Sequence, residues 1–428
     1  MRILKSSKEI TAFLNILKNR ACGVNQDIEQ RVKKILCDVR SRGDKAVLKY
    51  TRAFDNLDTD RLSINKAEIS RQSAKADEKV VKALRLSAKR IRTFHEKQKE
   101  GSWSFMERES VLGQVIRPIE RVGVYIPGGR ASYPSTVLMN VIPAQVAGVR
   151  EIALCVPTPG GYINPYVMAA ISLLGVKEVY RIGGAQAVGA MAYGTDTIRK
   201  VDKIVGPGNI FVATAKRIVF GEVDIDMIAG PSEILVIADD SADASFIAAD
   251  LLGQAEHDEY ASSILITTSV RLAEAVEKEL AVQLEKLRRK DIAEKSLDAY
   301  GAVILARSMK ESAEISNAIA PEHLEIMTRN PVKVLPMIRN AGAIFLGEWT
   351  PEALGDYAAG PNHTLPTGGT ARFSSPLGVY DFVKRSSILG FTQRGFSRLA
   401  DTVKTMAEAE GLEGHANTIK IRERTKRR

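Results

Sequence analysis

Hydrophobic and polar positions change their spacing near residue 122, and this change separates two regions of different predicted structure. Before it the pattern is mainly helical: along Lys79–Gln98, apolar residues recur every three or four positions and form an amphipathic stripe. Asn25 and Asp27 are helix-opening residues, and they precede a segment predicted to be helical through Cys37 to Tyr50. We therefore expect the N-terminal part to be a layer of helices.

From Val122 onward, short apolar runs alternate with helical patterns. The predicted strands are Val122–Ile126, Ile152–Val156, Glu178–Ile182, Lys203–Val205, Ile234–Ala238, Ser263–Thr267, Ala302–Leu305, His323–Met327 and Ala343–Leu346. The helices predicted between the first of them are Pro134–Ala147, Pro165–Leu174, Ala185–Tyr193 and Asn209–Val219. Repeated strand–helix units imply parallel sheets covered on both faces. The fold class is therefore α/β, with two open, mostly parallel, incomplete Rossmann-like units and a cleft between them, plus small helical segments at both ends.

The same pattern suggests domain boundaries. We expect an N-terminal helical segment at 1–25 and a discontinuous first α/β domain at 26–121 and 231–378. A second α/β domain on the nucleotide side is expected at 122–230, and a C-terminal helical domain at 379–428. Residues 348–380 are rich in Gly, Pro, Thr and Asn, and an irregular connection of that length is usually functional.

Composition narrows the class of protein. No signal-peptide pattern opens the sequence, and no apolar run approaches the roughly 18–20 residues that cross a bilayer. The 3 cysteines are widely spaced and unsuited to a disulfide framework, so we expect a cytoplasmic protein. The net charge of +10 leaves a nucleic-acid-binding protein open, but basic residues are dispersed except in 422–428, where a solvated tail explains them.

Histidine carries the strongest chemical signal, because four of the 5 histidines follow residue 250 and lie near acidic or amide side chains. Gln254 and His257 would share one helical face and could hold a divalent ion, although a polar helix end explains them equally well. Glu322 and His323 offer two general bases if the turn at Pro321 lets both reach one pocket. A charged loop before a strand remains the alternative.

Further candidates lie in the C-terminal third of the chain. Asp356 could supply a carboxylate ligand, and His363 a hydrogen-bonding or cationic group. Glu410 and His415 lie between two predicted C-terminal helices. Together, Gln254, His257, Asp356 and His415 would form a ligand set suited to zinc, although each cluster alone is also explained as a solvated turn.

Glycine-rich turns follow three predicted strands, at Pro127–Gly129, Gly183–Gln186 and Gly206–Asn209. Each precedes a helix, whose free backbone N–H groups could bind a pyrophosphate. The usual GxGxxG fingerprint is missing. Nucleotide binding and ordinary tight turns therefore both remain open from the residues alone.

As a set, these motifs resemble the histidinol dehydrogenase family over nearly the whole chain. The matching segments are Gly206–Asn209, Ala229–Glu233, Asp250–Asp258, Ala320–Glu325, Gly355–Thr367, Ala371–Arg372 and Gly414–Ala416. The resemblance implies oxidation of L-histidinol through L-histidinaldehyde to L-histidine with reduction of two NAD, the last steps of histidine biosynthesis. It also implies one zinc ion per subunit, held by Gln254, His257, Asp356 and His415.

The resemblance assigns roles to individual residues as well. His323 matches the base that takes the hydroxyl proton, and Glu322 the base that activates water against the aldehyde. The implied substrate-binding residues are Ser232, Gln254, His257, His323, Asp356, His363, Glu410 and His415, and the implied NAD-binding residues are Tyr125, Gln186 and Asn209. The family is homodimeric, so Glu410 and His415 would complete the site of a second copy.

A zinc hydrolase that uses Glu322 to activate water is the alternative from another class of enzyme. It would not need the glycine turns, and the HExxH pairing typical of many such enzymes is absent from the sequence.

Overall fold

The computed structural model describes residues 1–22, 26–128 and 133–424. Asn25, Gly129 and the last four residues of the basic tail lie outside this range. The chain divides into two compact units, the first made of Met1–Gln98 and Ile119–Phe382, the second of Lys99–Pro118 and Val383–Arg428. No helix among the described residues is both long and apolar enough to cross a membrane.

The strands and helices are numbered in chain order. The strands are β1 (Arg2–Leu4), β2 (Trp103–Glu107), β3 (Ser110–Pro118), β4 (Arg121–Tyr125), β5 (Glu151–Cys155), β6 (Glu178–Tyr180), β7 (Lys203–Val205), β8 (Asp224–Ile225), β9 (Glu233–Ala238), β10 (Ser262–Thr267), β11 (Ala302–Leu305), β12 (His323–Met327), β13 (Ala343–Leu346) and β14 (Val383–Phe391). The helices are α1 (Ser7–Cys22), α2 (Gln26–Arg42), α3 (Asp44–Asp55), α4 (Lys66–Ser73), α5 (Glu78–Glu96), α6 (Pro134–Ala147), α7 (Pro165–Leu174), α8 (Gly184–Tyr193), α9 (Ile210–Val219), α10 (Ala244–Ala255), α11 (Val270–Leu284), α12 (Lys290–Tyr300), α13 (Met309–Ile319), α14 (Pro331–Val334), α15 (Glu352–Leu354), α16 (Gln393–Ala409) and α17 (Glu413–Arg424).

The first unit contains two parallel sheets, which confirms the predicted α/β class. One sheet has the strand order β1-β11-β10-β9-β12-β13, and the other has the order β6-β5-β4-β7-β8. Their central strands, such as Glu233–Ala238 and Arg121–Tyr125, are buried along their whole length. Burial on both faces explains why these segments read as continuous apolar runs in the sequence.

Local capping explains where several of the predicted helices begin. The side chain of Asn164 accepts hydrogen bonds from the backbone of Tyr166 and Val167, and a proline follows it at the first helical position of α7. Asn209 caps α9 in the same way. The helix predicted from Asp27 to Tyr50 is instead two helices, because Gly43 adopts a φ of 51° and separates α2 from α3.

The helices between residues 26 and 96 pack against the sheet that contains β4. Val32, Leu36 and Val47 share a core with α8 and α9, whereas Leu84 and Ile91 share one with α6 and α7. The sequence had grouped residues 26–121 with 231–378, and this division into domains stays a prediction.

Five strands were not indicated by the sequence pattern, namely β1, β2, β3, β8 and β14. Arg2–Leu4 pairs with β11 at the edge of one parallel sheet. In the second unit, β2, β3 and β14 form an antiparallel sheet, followed by α16 and α17. Every residue of β2 is exposed and most of β14 is too, so neither strand has a buried face that would produce alternating hydrophobicity. The C-terminal segment therefore contains a strand besides the expected helices.

Candidate active site

The candidate residues of the first unit lie at opposite edges of its two sheets. Tyr125 ends β4, and the Gly206–Asn209 turn directly follows β7, so both lie at the carboxyl edge of their sheet. His323 is the first residue of β12, and Glu233 is the first residue of its neighbour β9. The candidate bases therefore lie at the amino edge of the other sheet.

His323 is buried, and its imidazole has a defined orientation. Its Nδ1 lies 3.0 Å from the backbone carbonyl oxygen of Glu233, which can only accept a hydrogen bond. The proton is therefore on Nδ1, and Nε2 carries a lone pair that is buried without a hydrogen-bond partner in the part of the chain that the structure describes. Burial lowers the pKa of His323 to about 3, so the ring is neutral. An unpaired, oriented lone pair of this kind can accept a proton.

Glu322 lies beside His323 and shares its anchor. Its Oε2 accepts a hydrogen bond of 3.0 Å from the backbone N–H of Glu233 and lies 3.8 Å from Nδ1 of His323. Burial, reinforced by the charge of Glu233, raises the pKa of Glu322 well above its ordinary value. The turn before β12 thus brings both residues to one place, as the sequence pattern suggested for Pro321.

Gln254 reaches the same place from the end of α10. Its side-chain nitrogen lies 3.3 Å from Nδ1 of His323, a contact without a hydrogen bond because both atoms carry protons, and its Oε1 is buried without a partner among the described residues. An unsatisfied buried amide oxygen is costly unless a ligand or ion pairs with it. His257 follows α10, and burial lowers its pKa, which keeps its imidazole neutral and able to bind a cation.

A group of side chains able to hold a metal ion is formed by His323, Glu352 and Asp356, whose candidate ligand atoms all lie within 4.8 Å of one another. Nε2 of His323 lies 3.8 Å from Oδ1 of Asp356, and Nδ1 lies 3.6 Å from Oε1 of Glu352. Burial raises the pKa of Asp356 to about 7. The cause is the loss of hydration, which disfavours the charged form of a buried carboxylate.

Glu352 was not singled out from the sequence. It lies one turn before Asp356, in the short helix α15 that runs into a π-helical turn at Gly355–Ala359. Its side chain is buried, and Oε2 has no hydrogen-bond partner among the residues that the structure describes. The available signal was its position four residues before Asp356 inside the Gly- and Pro-rich segment, where a helical turn places both on one side.

A cavity of about 390 Å³ lies beside the carboxyl end of β4. Its described lining comprises Tyr125, Pro127, Gly128, Tyr133, Asn209, His257 and Arg289. Two of the three residues expected to bind NAD therefore line the cavity together with an expected metal ligand. Gln186 is not among these lining residues, but its side chain is completely buried and neither amide atom has a hydrogen-bond partner within residues 1–22, 26–128 and 133–424.

The expected substrate contacts are distributed over both units. His363 is held by a contact of 3.0 Å between its Nδ1 and the carbonyl oxygen of Asp356, and burial lowers its pKa to about 4. The imidazole of His363 is therefore neutral. Ser232 directly precedes Glu233. Glu410 and His415 lie in the second unit, at the end of α16 and in the first turn of α17, and both are exposed.

A histidinol dehydrogenase family model matches residues 18–423. The chain belongs to the histidinol dehydrogenase family. It is 57% identical over 401 residues to the histidinol dehydrogenase of Geobacter sulfurreducens, covering 93% of this chain and 94% of that protein. It is 51% identical to the enzyme of Aquifex aeolicus, with 99% of each chain covered.

Solved structures agree with this assignment. The crystal structure of histidinol dehydrogenase from Elizabethkingia anophelis matches with a TM-score of 0.94 at 38% identity, over 99% of this chain and 98% of that one. The resemblance seen in the motifs is confirmed. The chain is thus an oxidoreductase of a histidine-biosynthesis family, and a zinc hydrolase is not favoured.

Proposed function

We propose that this protein oxidises L-histidinol through L-histidinaldehyde to L-histidine and reduces two NAD in the process. The observation that carries the proposal is the buried pair of Glu322 and His323, held by one residue beside the unpaired amide oxygen of Gln254. A four-electron oxidation needs a base for the alcohol and a base for water at the aldehyde stage. The two side chains supply one of each.

His323 is proposed as the base of the alcohol step. Because its Nδ1–H is held by the carbonyl oxygen of Glu233, only Nε2 can take the hydroxyl proton. The alcohol loses this proton from oxygen and a hydride from carbon, and the aldehyde results. A neutral ring with a low pKa is available for this step across the physiological range.

Glu322 is proposed as the base of the aldehyde step. Its carboxylate would take a proton from water as the oxygen attacks the aldehyde carbon, which gives a hydrate. The hydrate then loses a second hydride and a proton, which gives the carboxylic acid, and this acid loses one further proton to become the carboxylate of histidine. Since burial raises the pKa of Glu322, the ionised group is a stronger base than an exposed glutamate.

Zinc is the proposed metal, and its ligands would be Gln254, His257, Asp356 and His415 of a second copy. The residues of the first unit fit such an ion: an unpaired amide oxygen, a neutral imidazole and a carboxylate with a raised pKa form a suitable N/O donor set. When bound, the ion would orient the imidazole and amine of the substrate, which is the template role of a metal. Glu352 lies close enough to Asp356 to hold or replace a ligand.

NAD is the proposed hydride acceptor, with Tyr125, Gln186 and Asn209 at its site. The cavity lined by Tyr125 and Asn209 supports this placement, and Asn209 is also the residue whose side chain caps the N-terminus of α9. The phenol oxygen of Tyr125 accepts a hydrogen bond of 3.1 Å from the backbone N–H of Gly184, which ties together the turns after β4 and β6.

A homodimer is proposed because Glu410 and His415 are exposed and lie in a separate compact unit. Exposure leaves them available to a second copy, where they would meet substrate and metal. Ser232 and His363 are proposed to contact substrate within one copy. The unpaired thiols of Cys37 and Cys155 are compatible with the proposed location in the cytoplasm.

The deciding experiment counts NADH formed per histidinol consumed, before and after treatment with a chelator. Two NADH per substrate, lost on chelation and restored by zinc, are expected. One NADH per substrate, or turnover that survives complete metal removal, would contradict the proposal. Replacing His415 should lower the zinc content of the purified protein, and an unchanged content would remove it from the ligand set.

Variants then separate the two bases. Glu322→Gln should slow the oxidation of supplied histidinaldehyde far more than that of histidinol to the aldehyde, and His323→Asn should slow the alcohol step. His95→Gln is the matched control. His95 is also buried, but it lies in the last turn of α5, and its Nδ1 contacts Oε1 of Gln98 in the turn that follows this helix. A Glu322→Gln variant that oxidises the aldehyde at the normal rate would show that the assigned role is wrong.

A further inference from the structure

We propose that Arg20 and Glu233 form a positioning pair that sets the geometry of both bases, so that helix α1 acts on the chemistry of the active site. The inference rests on the roles proposed for Glu322 and His323. It concerns neither metal nor substrate contacts, since both residues act through other groups.

The backbone of Glu233 is the shared anchor. Its N–H donates to Oε2 of Glu322 at 3.0 Å, and its carbonyl oxygen accepts from Nδ1 of His323 at 3.0 Å. One residue therefore fixes the carboxylate of one base and both the tautomer and the ring orientation of the other. A rotation of this backbone segment would disturb both proton transfers at once.

The side chain of Glu233 is held by an ion pair that comes from a distant part of the sequence. Arg20, in the last turn of α1, contacts Oε1 of Glu233, and the two side chains are only 1% and 6% exposed. Arg20 also donates a hydrogen bond of 2.6 Å to the carbonyl oxygen of Tyr260, and its guanidinium lies 5.3 Å from the ring centre of Tyr300. The guanidinium is thus fixed on several sides.

Stability alone does not explain a pair of this kind. A buried ion pair is often no more stabilising than apolar residues of similar volume, because both charges must be desolvated. The pair instead fixes the orientation of the Glu233 side chain, because a planar guanidinium fixes the position of a carboxylate more narrowly than an apolar contact does. A fixed orientation is needed at Glu233, the first residue of β9, because the pairing of β9 with β12 starts only at the next residue, Ile234.

The charge of Arg20 has a second effect. Burial raises the pKa of Glu233, and the guanidinium opposes that rise. The same cation lowers the pKa of Glu322, whereas the carboxylate of Glu233 raises it. Removing Arg20 would therefore leave two buried carboxyl groups facing each other without compensation.

The test compares Arg20→Met with Arg20→Lys and with Arg121→Met. Arg121 is a matched control, since it is also a buried arginine, 7% exposed in its side chain, paired with Glu151 and Glu178 at the amino end of β4. Rates of the alcohol and aldehyde steps, KM for histidinol, zinc content and the unfolding midpoint are measured for each variant.

Arg20→Met should lower kcat of both steps by about 10- to 100-fold, as loss of a supporting contact typically does, while KM and zinc content stay within about twofold of the unmodified protein. Arg20→Lys should recover part of the rate, because it restores the charge without the planar geometry. Arg121→Met should lose stability and retain kcat. If Arg20→Met lost only stability, as Arg121→Met does, the positioning role would be refuted.

A double variant covers the case in which Arg20→Met does not fold. Arg20→Met with Glu233→Gln removes both buried charges, so no uncompensated carboxylate remains. A kcat that stays about tenfold or more below normal, within the range seen for supporting contacts, supports positioning, and a normal kcat refutes it. Loss of turnover in His323→Asn is measured in parallel: if that variant turns over normally, the proposed function fails, independently of Arg20.

Discussion

Gly206→Ala is expected to destabilise the fold and weaken NAD binding, because Gly206 combines a positive φ with a close backbone approach. Its φ is 110°, a value that L-residues rarely adopt, and a Cβ built there would lie 2.1 Å from the carbonyl oxygen of Tyr125. The surroundings have little room to adjust. The N–H of Gly206 donates to Asp226 at 2.8 Å, and its carbonyl oxygen accepts from Lys216 at 3.0 Å.

The magnitude follows from two separable contributions. Backbone strain at a positive φ costs about 1–3 kcal/mol, and forcing an extra methyl group into a packed position costs about 1–3 kcal/mol more. Gly221→Ala isolates the first contribution, since Gly221 has a φ of 99° but no neighbouring atom within 4 Å of a built Cβ. Gly101→Ala should have neither effect, because its φ is not positive and nothing lies within 4 Å.

The assay ranks unfolding midpoints of the three alanine variants and measures KM for NAD. The expected order of stability is Gly101→Ala, then Gly221→Ala, then Gly206→Ala. Only Gly206→Ala should raise KM for NAD, by about tenfold if displacement of the Tyr125 backbone costs about 1.4 kcal/mol of binding. Equal midpoints and equal KM for Gly206→Ala and Gly221→Ala would refute the argument from close approach.

Three further predictions follow from single contacts. Asn209→Ala should cost about 1 kcal/mol through loss of the α9 cap, whereas Asn209→Asp keeps the cap; equal unfolding midpoints for the two would contradict this. Lys216→Met should cost about 3–5 kcal/mol, because it leaves Asp226 buried and unpaired; Lys203→Met should cost less, since its partner is half exposed. Burial raises the pKa of Asp381 from 3.8 to about 6. The carboxyl group of Asp381 therefore ionises at a lower pH in the unfolded chain than in the folded protein, and the free energy of unfolding falls as the pH rises through that window. Asp381→Asn keeps the acceptor for the N–H of Gly378 and should gain in unfolding midpoint relative to the unmodified protein between about pH 4 and 7; a constant difference would show that the group is not perturbed.

The parallel sheets were predictable because their strands carry an unmistakable pattern. Lys203–Val205, His323–Met327 and Ala343–Leu346 form strands with the predicted bounds. The antiparallel strands Trp103–Glu107 and Val383–Phe391 were missed because their side chains are largely exposed. Hydrophobic periodicity in a sequence arises because one face of a strand is buried, so a strand without a buried face does not show this periodicity.

The site was predictable to a different extent. Scarce histidines beside acids and amides indicated Gln254, His257 and His323, whose neighbourhood the structure describes. No local pattern could indicate Arg20, which lies 213 residues from the carboxylate it contacts. Glu233 was visible only as part of a motif, because its contacts with both bases are made by backbone atoms that every residue possesses.

The two sheets present the candidate residues at opposite edges, and this explains why backbone atoms hold both candidate bases in place. Open parallel sheets ordinarily bind ligands at the carboxyl ends of their strands, and the NAD site proposed at Tyr125 follows this rule. In the other sheet, α10 runs back from the carboxyl end of β9, so Gln254 and His257 arrive at the amino edge, where β9 and β12 begin. Pairing between β9 and β12 begins only at Ile234, and the N–H and carbonyl groups of Glu233 bind the side chains of Glu322 and His323 instead of backbone groups of β12. The start of a central strand thus serves as a rigid support for both bases, which is why the ion pair beneath it bears on the reaction.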